Sequence, residues 1–105
     1  VRLAGIAARE IDNSCRPGQP CPRASGPAAR DALVRLLGGP RGQTSTGHIR
    51  VAGPTMRCVS TGEAKGNRTG AWCNAPGIGD LSCAMIATGT VLRWERYAKG
   101  RCRSR

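Results

Sequence analysis

Phenylalanine is absent from the chain, and aromatic rings are confined to Trp72, Trp94 and Tyr97. Large aliphatic side chains are scarce too: Leu, Ile and Val together supply 16 of 105 residues. That is about 15%, below the ~20% that, with high net charge, marks chains unable to build a core. Acidic residues are few, 6 Asp and Glu against 17 Lys and Arg, for a net charge of +11. There is one histidine, His48, so no placed His–acid pair and no histidine-bearing zinc pattern exists. It reads as a strand surface residue. C-x-x-C and G-x-S-x-G are both absent, which removes the usual zinc ribbon and the serine-hydrolase elbow. No apolar run approaches the ~20 residues of a membrane span. The uncharged stretch from Leu81 to Leu92 is interrupted by Thr and Gly. No signal-peptide pattern opens the chain, so it is expected to be a mature or trimmed one.

Against this poverty stand six cysteines: Cys15, Cys21, Cys58, Cys73, Cys83 and Cys102. An even count in a small, loop-rich, core-poor chain reads as a disulfide framework. At about 2–4 kcal/mol each, three bridges match the whole net stability of a small domain. Cys58 and Cys73 flank one turn on strand-like segments and are expected to face each other. Cys15 and Cys21 share a loop and close it locally. Cys83 with Cys102 then ties the tail to the second helix. Disulfides imply an oxidising compartment, so the chain is expected to be secreted or periplasmic. The length allows one domain, residues 1–98, followed by a basic tail, 99–105.

The segment from Val1 to Ile6 alternates like a strand. Residues 7–23 hold Pro17, Pro20, Pro22 and Gly18 and read as loop. Ser25-Gly26-Pro27 opens a helix, Ala29, Leu33, Leu36 and Leu37 follow at helical spacing, and Gly38-Gly39-Pro40 stops it. Residues 41–47 read as a polar loop. Two strand-like runs, 48–52 and 55–60, surround Gly53-Pro54 and suggest a hairpin. A polar turn over 61–67 precedes a strand over 68–74, with Ala71 and Cys73 on one face and Trp72 on the other. Asp80 caps a short helix ending at Gly89. The rest is extended, then charged.

Three residues make a suggestive set: Arg2 on the first strand, Glu10 just beyond it, and Arg68 in the turn Lys65-Gly66-Asn67-Arg68. Guanidiniums hold a phosphate bidentately and stabilise the charge that grows on it, and a carboxylate activates or orients a water. Lys65 adds a cation beside Arg68. In a chain with fifteen arginines such sets arise readily, and a solvated cationic surface explains most of the charge.

Longer blocks sharpen the reading. Residues 1–11, VRLAGIAAREI, resemble the I-R-L-x-G-I-D-A-P-E segment of the staphylococcal nuclease (thermonuclease) family. The helix from Gly26, with Ala28-Ala29 and Leu33-x-x-Leu36, looks like that family's first helix. Gly66-Asn67-Arg68 stands where the family has its Tyr-Gly-Arg turn. Residues 79–89, GDLSCAMIATG, resemble its D-L-n-x-x-M-V-x-x-G helix, and Arg93 to Tyr97 resembles the segment after it. The cysteines look like those of the secreted, disulfide-bearing bacterial branch.

The resemblance implies an α+β chain built as a small OB-fold-like β-barrel with a packed helix, disulfide-bonded and truncated at the N-terminal strands. It implies calcium-dependent cleavage of DNA and RNA, with Arg2, Glu10 and Arg68 as the catalytic set and Arg2, Arg68 and Lys65 as phosphate-binding. The departures weigh against full activity. One family calcium ligand comes from an Asp-Gly-Asp-Thr turn upstream of the first strand seen here. The other is the Asp of I-D-A-P-E, where this chain has Ala7. Calcium wants six to eight oxygens, several from carboxylates, so no metal is expected to bind and catalysis is expected to be impaired. Asp12 matches no family ligand and reads as a turn cap. Glu10 without metal is expected to pair with Arg2 or Arg68.

Weak, non-specific binding of DNA or RNA is the expected partner chemistry, without a membrane span. Open sheet edges leave room for a homodimer. Two alternatives remain: a non-catalytic polyanion-binding module, and a small cationic secreted protein whose bridges hold a structural or surface-active scaffold. Trp72, Trp94 and Tyr97 are the candidate base-stacking rings, with core packing as the plainer role. Asn67-Arg68-Thr69 fits a glycosylation sequon.

Overall fold

The computed structural model describes residues 2–51, 53, 55–65 and 68–102, with positions 2, 63–65, 68 and 69 described by backbone alone. Eight strands and three helices follow in the order β1 (Arg2–Leu3), β2 (Ile6–Ala7), α1 (Gly26–Leu36), β3 (Pro40–Gln43), β4 (Ile49–Val51), β5 (Arg57–Lys65), β6 (Arg68–Ala75), β7 (Gly79–Asp80), α2 (Leu81–Ala87), β8 (Leu92–Arg93) and α3 (Glu95–Ala98). The architecture is α+β. Among the described residues the strands form three separate sheets and close no barrel.

The main sheet has β6 at its centre. β5 pairs antiparallel on one side, β1 pairs parallel on the other, and β7 continues antiparallel off the end of β6. Alternation along β6 sends Ala71, Cys73 and Ala75 into the core. Trp72 takes the opposite face, as its place in the sequence predicts. The first strand is not continuous. It breaks at Ala4-Gly5, where Gly5 adopts φ +76°, and resumes as β2 against β8. The break is forced from both sides. A Cβ at Gly5 would run into the Trp72 ring, and the Ala4 N–H is claimed by the Ala71 carbonyl at 2.8 Å.

Both main helices start where the caps predict. Ser25 Oγ accepts from the Ala28 N–H at 3.1 Å, and Asp80 Oδ1 accepts from the Cys83 N–H at 3.1 Å. Each satisfies a donor that the first helical turn leaves unpaired. The core between helices and sheet is built largely from small residues. Ala29 and Ala32 of α1 meet Met85 of α2 and Val91, and Leu37, Ala71, Cys73 and Leu81 form a second cluster. Leu3 and Leu33 touch both clusters. Fully buried Ser82 donates its hydroxyl to the Ala4 carbonyl at 2.6 Å and so fastens α2 to the β1–β2 turn.

A core of alanines removes little apolar surface per residue, and covalent bonds supply the deficit. Cys15 bonds Cys21, Cys58 bonds Cys73, and Cys83 bonds Cys102. Cys58 and Cys73 are register partners on β5 and β6. The third bridge holds the segment after α3 against α2.

Among the described residues, β4 and β5 do not pair as the hairpin expected around Gly53-Pro54 requires. β4 pairs back onto β3 instead, so part of the run read as a polar loop is a strand. The turn over 61–67 is shorter than expected, because β5 runs on to Lys65. Gly66 and Asn67, with the sequon Asn67, lie outside the described residues, as do Val1, Ala52, Pro54 and the tail at 103–105.

Candidate nucleic-acid interface

β1 and β6 bring two of the expected phosphate-binding positions together. Arg2 is the register partner of Gly70, two positions along β6 from Arg68. Leu3 and Ala71 are the next pair, and both belong to the core side. By alternation, positions 2, 68, 70 and 72 therefore share the outer face of the sheet. Lys65 pairs with Arg68 across the β5–β6 connection. The side chains of Arg2, Lys65 and Arg68 lie outside the described part, so the backbone alone sets their place.

Sequence reasoning missed two neighbours on this face. Arg57 is the partner of Asn74, and Val59, 70% exposed, is the partner of Trp72. The guanidinium of Arg101 lies over the Trp72 ring at 4.2 Å from its centroid. The outer face of the sheet thus carries a ring already capped by a cation. Trp94 and Tyr97 meet edge to face at 4.9 Å, and all three rings are half-buried and stand outside the two core clusters.

Glu10 belongs to a different structure, the loop from Ala8 to Arg23. Local hydrogen bonds build this loop. Arg9 donates to the carbonyls of Pro22 at 2.7 Å and Asn13 at 2.8 Å. Gln19 donates to the Ala8 carbonyl, and Asn13 Oδ1 accepts from the Gly26 N–H at the start of α1. Cys15–Cys21 closes the loop's outer end. The Glu10 carboxylate accepts from Arg16 Nε at 3.0 Å, with both side chains 43% exposed. Its described partner is Arg16; the side chains of Arg2 and Arg68, the expected partners, lie outside the described residues. Arg16 carries no motif, and only the loop's closure reveals it.

The residues around the expected calcium position do not suit a cation. Ala7 is 3% exposed within the packed β2–β8 pair and offers no side-chain oxygen. Asp12 is engaged locally, as the turn-cap reading predicts: its Oδ1 accepts from the Ser14 N–H at 2.9 Å and the Ser14 hydroxyl at 2.6 Å. The side-chain bond, then the backbone bond, from Ser14 hold its carboxyl below the ordinary 3.8. Asp80, Cys83 and Cys102 place ligand-type atoms within 4.8 Å of one another. Both sulfurs are bonded to each other and Asp80 caps α2, so this cluster is a staple and no thiolate site.

Among the described residues no helix is long and apolar enough to cross a membrane. No family model matches the sequence, and neither a curated protein nor a solved structure matches this chain.

Proposed function

We propose that this chain is a staphylococcal-nuclease-like, nucleic-acid-binding domain of a secreted or periplasmic protein, with phosphodiester cleavage weak or lost. The observation that supports the reading is the β1–β6 register, in which positions 2 and 68 fall on one face by alternation and position 65 pairs with position 68. Two guanidinium positions two residues apart on neighbouring strands suit one phosphate and its neighbour along a backbone. The net charge of +11 draws a polyanion to that face from a distance. On this reading the β1–β6–β5 sheet, with α2 against it, is what these residues contribute to an OB-like barrel.

The chemistry of binding and of cleavage separates cleanly. Arginines hold and orient the phosphate and stabilise charge on its oxygens. Cleavage also needs a water made nucleophilic near neutral pH. In the resembling family calcium supplies that activation, but the residues here do not fit it: Ala7 is buried carbon and Asp12 is tied to Ser14. Glu10, paired with Arg16, is drawn toward a cation of its own loop. The chain therefore binds better than it cuts.

A salt titration of duplex and single-stranded DNA, combined with a plasmid-cleavage assay with calcium and with a chelator, tests the reading. The expected result is affinity that falls steeply with salt, because counterion release dominates phosphate binding, and no calcium-dependent nicking. Binding insensitive to salt removes the polyanion reading. Rapid calcium-dependent cleavage that disappears in Glu10→Gln removes the claim of lost catalysis.

A further inference from the structure

The β3–β4 ribbon is a second feature of this molecule with no structural task that its composition explains. It spans Pro40 to Val51 and pairs only with itself. Every residue of β3 is exposed, and so is every residue from Thr44 to His48. Its base is anchored: Val51 packs on the second core cluster, and Gly53 lies against the Leu37 carbonyl so closely that a Cβ there would touch it. Its tip is ordered. The Thr44 N–H donates to the His48 carbonyl at 2.8 Å, the Gly47 N–H to the Thr44 carbonyl at 3.0 Å, and the His48 N–H to Thr44 Oγ1 at 3.1 Å.

The ribbon's charge is one-sided. Pro40 is the register partner of Val51 and Gln43 of Ile49, with a bulge between the two pairs, so Arg41 and Arg50 both fall in this bulged stretch, on neighbouring strands. Like charges on neighbouring strands cost stability. The sequence offers no relief: between Asp31 and Glu63 there is no acidic residue, while Arg35, Arg41, Arg50 and Arg57 all fall in that interval. The ion pairs of the described residues lie elsewhere, at Arg16–Glu10, Arg30–Asp31 and Arg93–Glu95. Gln43, Thr44, Ser45, Thr46 and His48 add exposed hydrogen-bonding groups around the tip.

We infer that the β3–β4 ribbon is an arm that grips the phosphate backbone of duplex DNA through Arg41 and Arg50, with its tip in the major groove. A two-stranded ribbon fits the major groove, about 12 Å wide, as a helix does. The repulsion between the two arginines is relieved when phosphates lie beside them. The tip hydroxyls and Gln43 donate to backbone oxygens or base edges. This inference rests on the nucleic-acid reading above and adds a contact surface apart from the Arg2–Arg68 face.

The test compares two variants that each remove two positive charges. One is Arg41→Ala with Arg50→Ala. The other is Arg23→Ala with Arg30→Ala, both exposed and outside the ribbon's strands and tip. Duplex affinity is measured across a salt series. The ribbon variant should lose about two units of the slope of log K against log salt, at ~0.9 per phosphate contact, and bind several-fold more weakly at low salt. The control should stay near the wild type. Equal losses in the two variants overturn the arm, because net charge alone then explains binding. An unchanged ribbon variant overturns it too, and leaves the arginines as guards of exposed strand edges. Failure of the wild type to hold DNA sinks the functional reading itself. A measurement independent of folding in the variants is backbone amide shift mapping on the wild-type protein. The largest shifts on adding duplex should fall within residues 40–51, and a map centred elsewhere overturns the proposal.

Discussion

The guanidinium of Arg101 covers the Trp72 ring, and the Cys83–Cys102 bridge one residue later keeps it there. Arg101 therefore lies over the sheet's outer face, the face that positions 2 and 68 share by register. Arg101 is exposed, so the contact itself is worth about 0.5–1 kcal/mol. Its larger effect is to occupy the ring.

Arg101→Ala should accordingly change exposure more than stability. In a protein whose only other tryptophan, Trp94, is replaced by Phe, acrylamide should quench Trp72 emission more strongly once Arg101 is gone. The urea midpoint should move by less than the equivalent of about 1 kcal/mol. Quenching that stays the same shows that Gly5 and α3, and not Arg101, shield the ring.

Gly26→Ala sets two effects of opposite sign against each other. Alanine favours a helix over glycine by up to about 1 kcal/mol, and Gly26 sits at the start of α1. A Cβ there would strike the Glu10 carbonyl, which is backbone and cannot swing aside. Overpacking of that kind costs about 1–3 kcal/mol, so steric cost wins and the variant should be less stable. Because the struck atom belongs to Glu10, the amide signals of residues 9–14 should shift as well. A stabilised variant would show that the loop yields freely.

The caps and cysteines were legible in the sequence because each acts locally. Ser25 and Asp80 declare helix starts through a hydrogen bond three residues long, and Cys58 and Cys73 declare a pairing through the turn between them. What escaped was set by competition between turns. Gly53-Pro54 looked like a hairpin turn, yet the longer turn at Thr44–His48 is held by its own backbone and side-chain hydrogen bonds, and β4 pairs back through it onto β3. The break at Gly5 was equally hidden. It depends on the Trp72 ring, distant in sequence. The candidate site was half visible for the same reason. Positions 2 and 68 share a face of neighbouring strands only through strand register, whereas Glu10 takes its described partner, Arg16, from a disulfide-closed loop whose shape no motif encodes.

Asp12 gives the acid end of the stability profile a specific contributor. Its folded-state carboxyl titrates below the ordinary 3.8 because Ser14 donates to the ionised form. A depressed folded value means the unfolded chain binds the proton more readily, so stability rises with pH across that interval. The contribution is fully present above 3.8 and is lost as pH falls through the folded value. Asp12→Asn should therefore flatten the acid limb of an unfolding curve measured against pH while leaving its shape near neutrality unchanged. Ser14→Ala should do the same, since it removes the hydroxyl that contributes most to the shift. An acid limb identical in all three proteins would remove Asp12 from the account.

Ala7→Asp tests whether a lost metal ligand can simply be put back. The resemblance places a carboxylate at this position, but here the position is 3% exposed and packed in the β2–β8 pair. The acidic residues near it in sequence cannot compensate a new carboxylate and are themselves engaged, Asp12 by Ser14 and Glu10 by Arg16. Burying an uncompensated polar group costs about 1–3 kcal/mol by mutational measure, and an ionised one costs more. The variant should lose stability by at least that amount at neutral pH and recover part of it on acidification, as the new carboxyl takes up a proton. Calcium should neither raise its melting temperature nor start cleavage of denatured DNA, because one added carboxylate falls far short of the six to eight oxygens calcium takes. The decisive comparison is thermal unfolding of wild type and variant with and without calcium. A calcium-dependent rise confined to the variant would mean that neighbouring oxygens converge on position 7 after all, and that this chain is one substitution away from a metal centre.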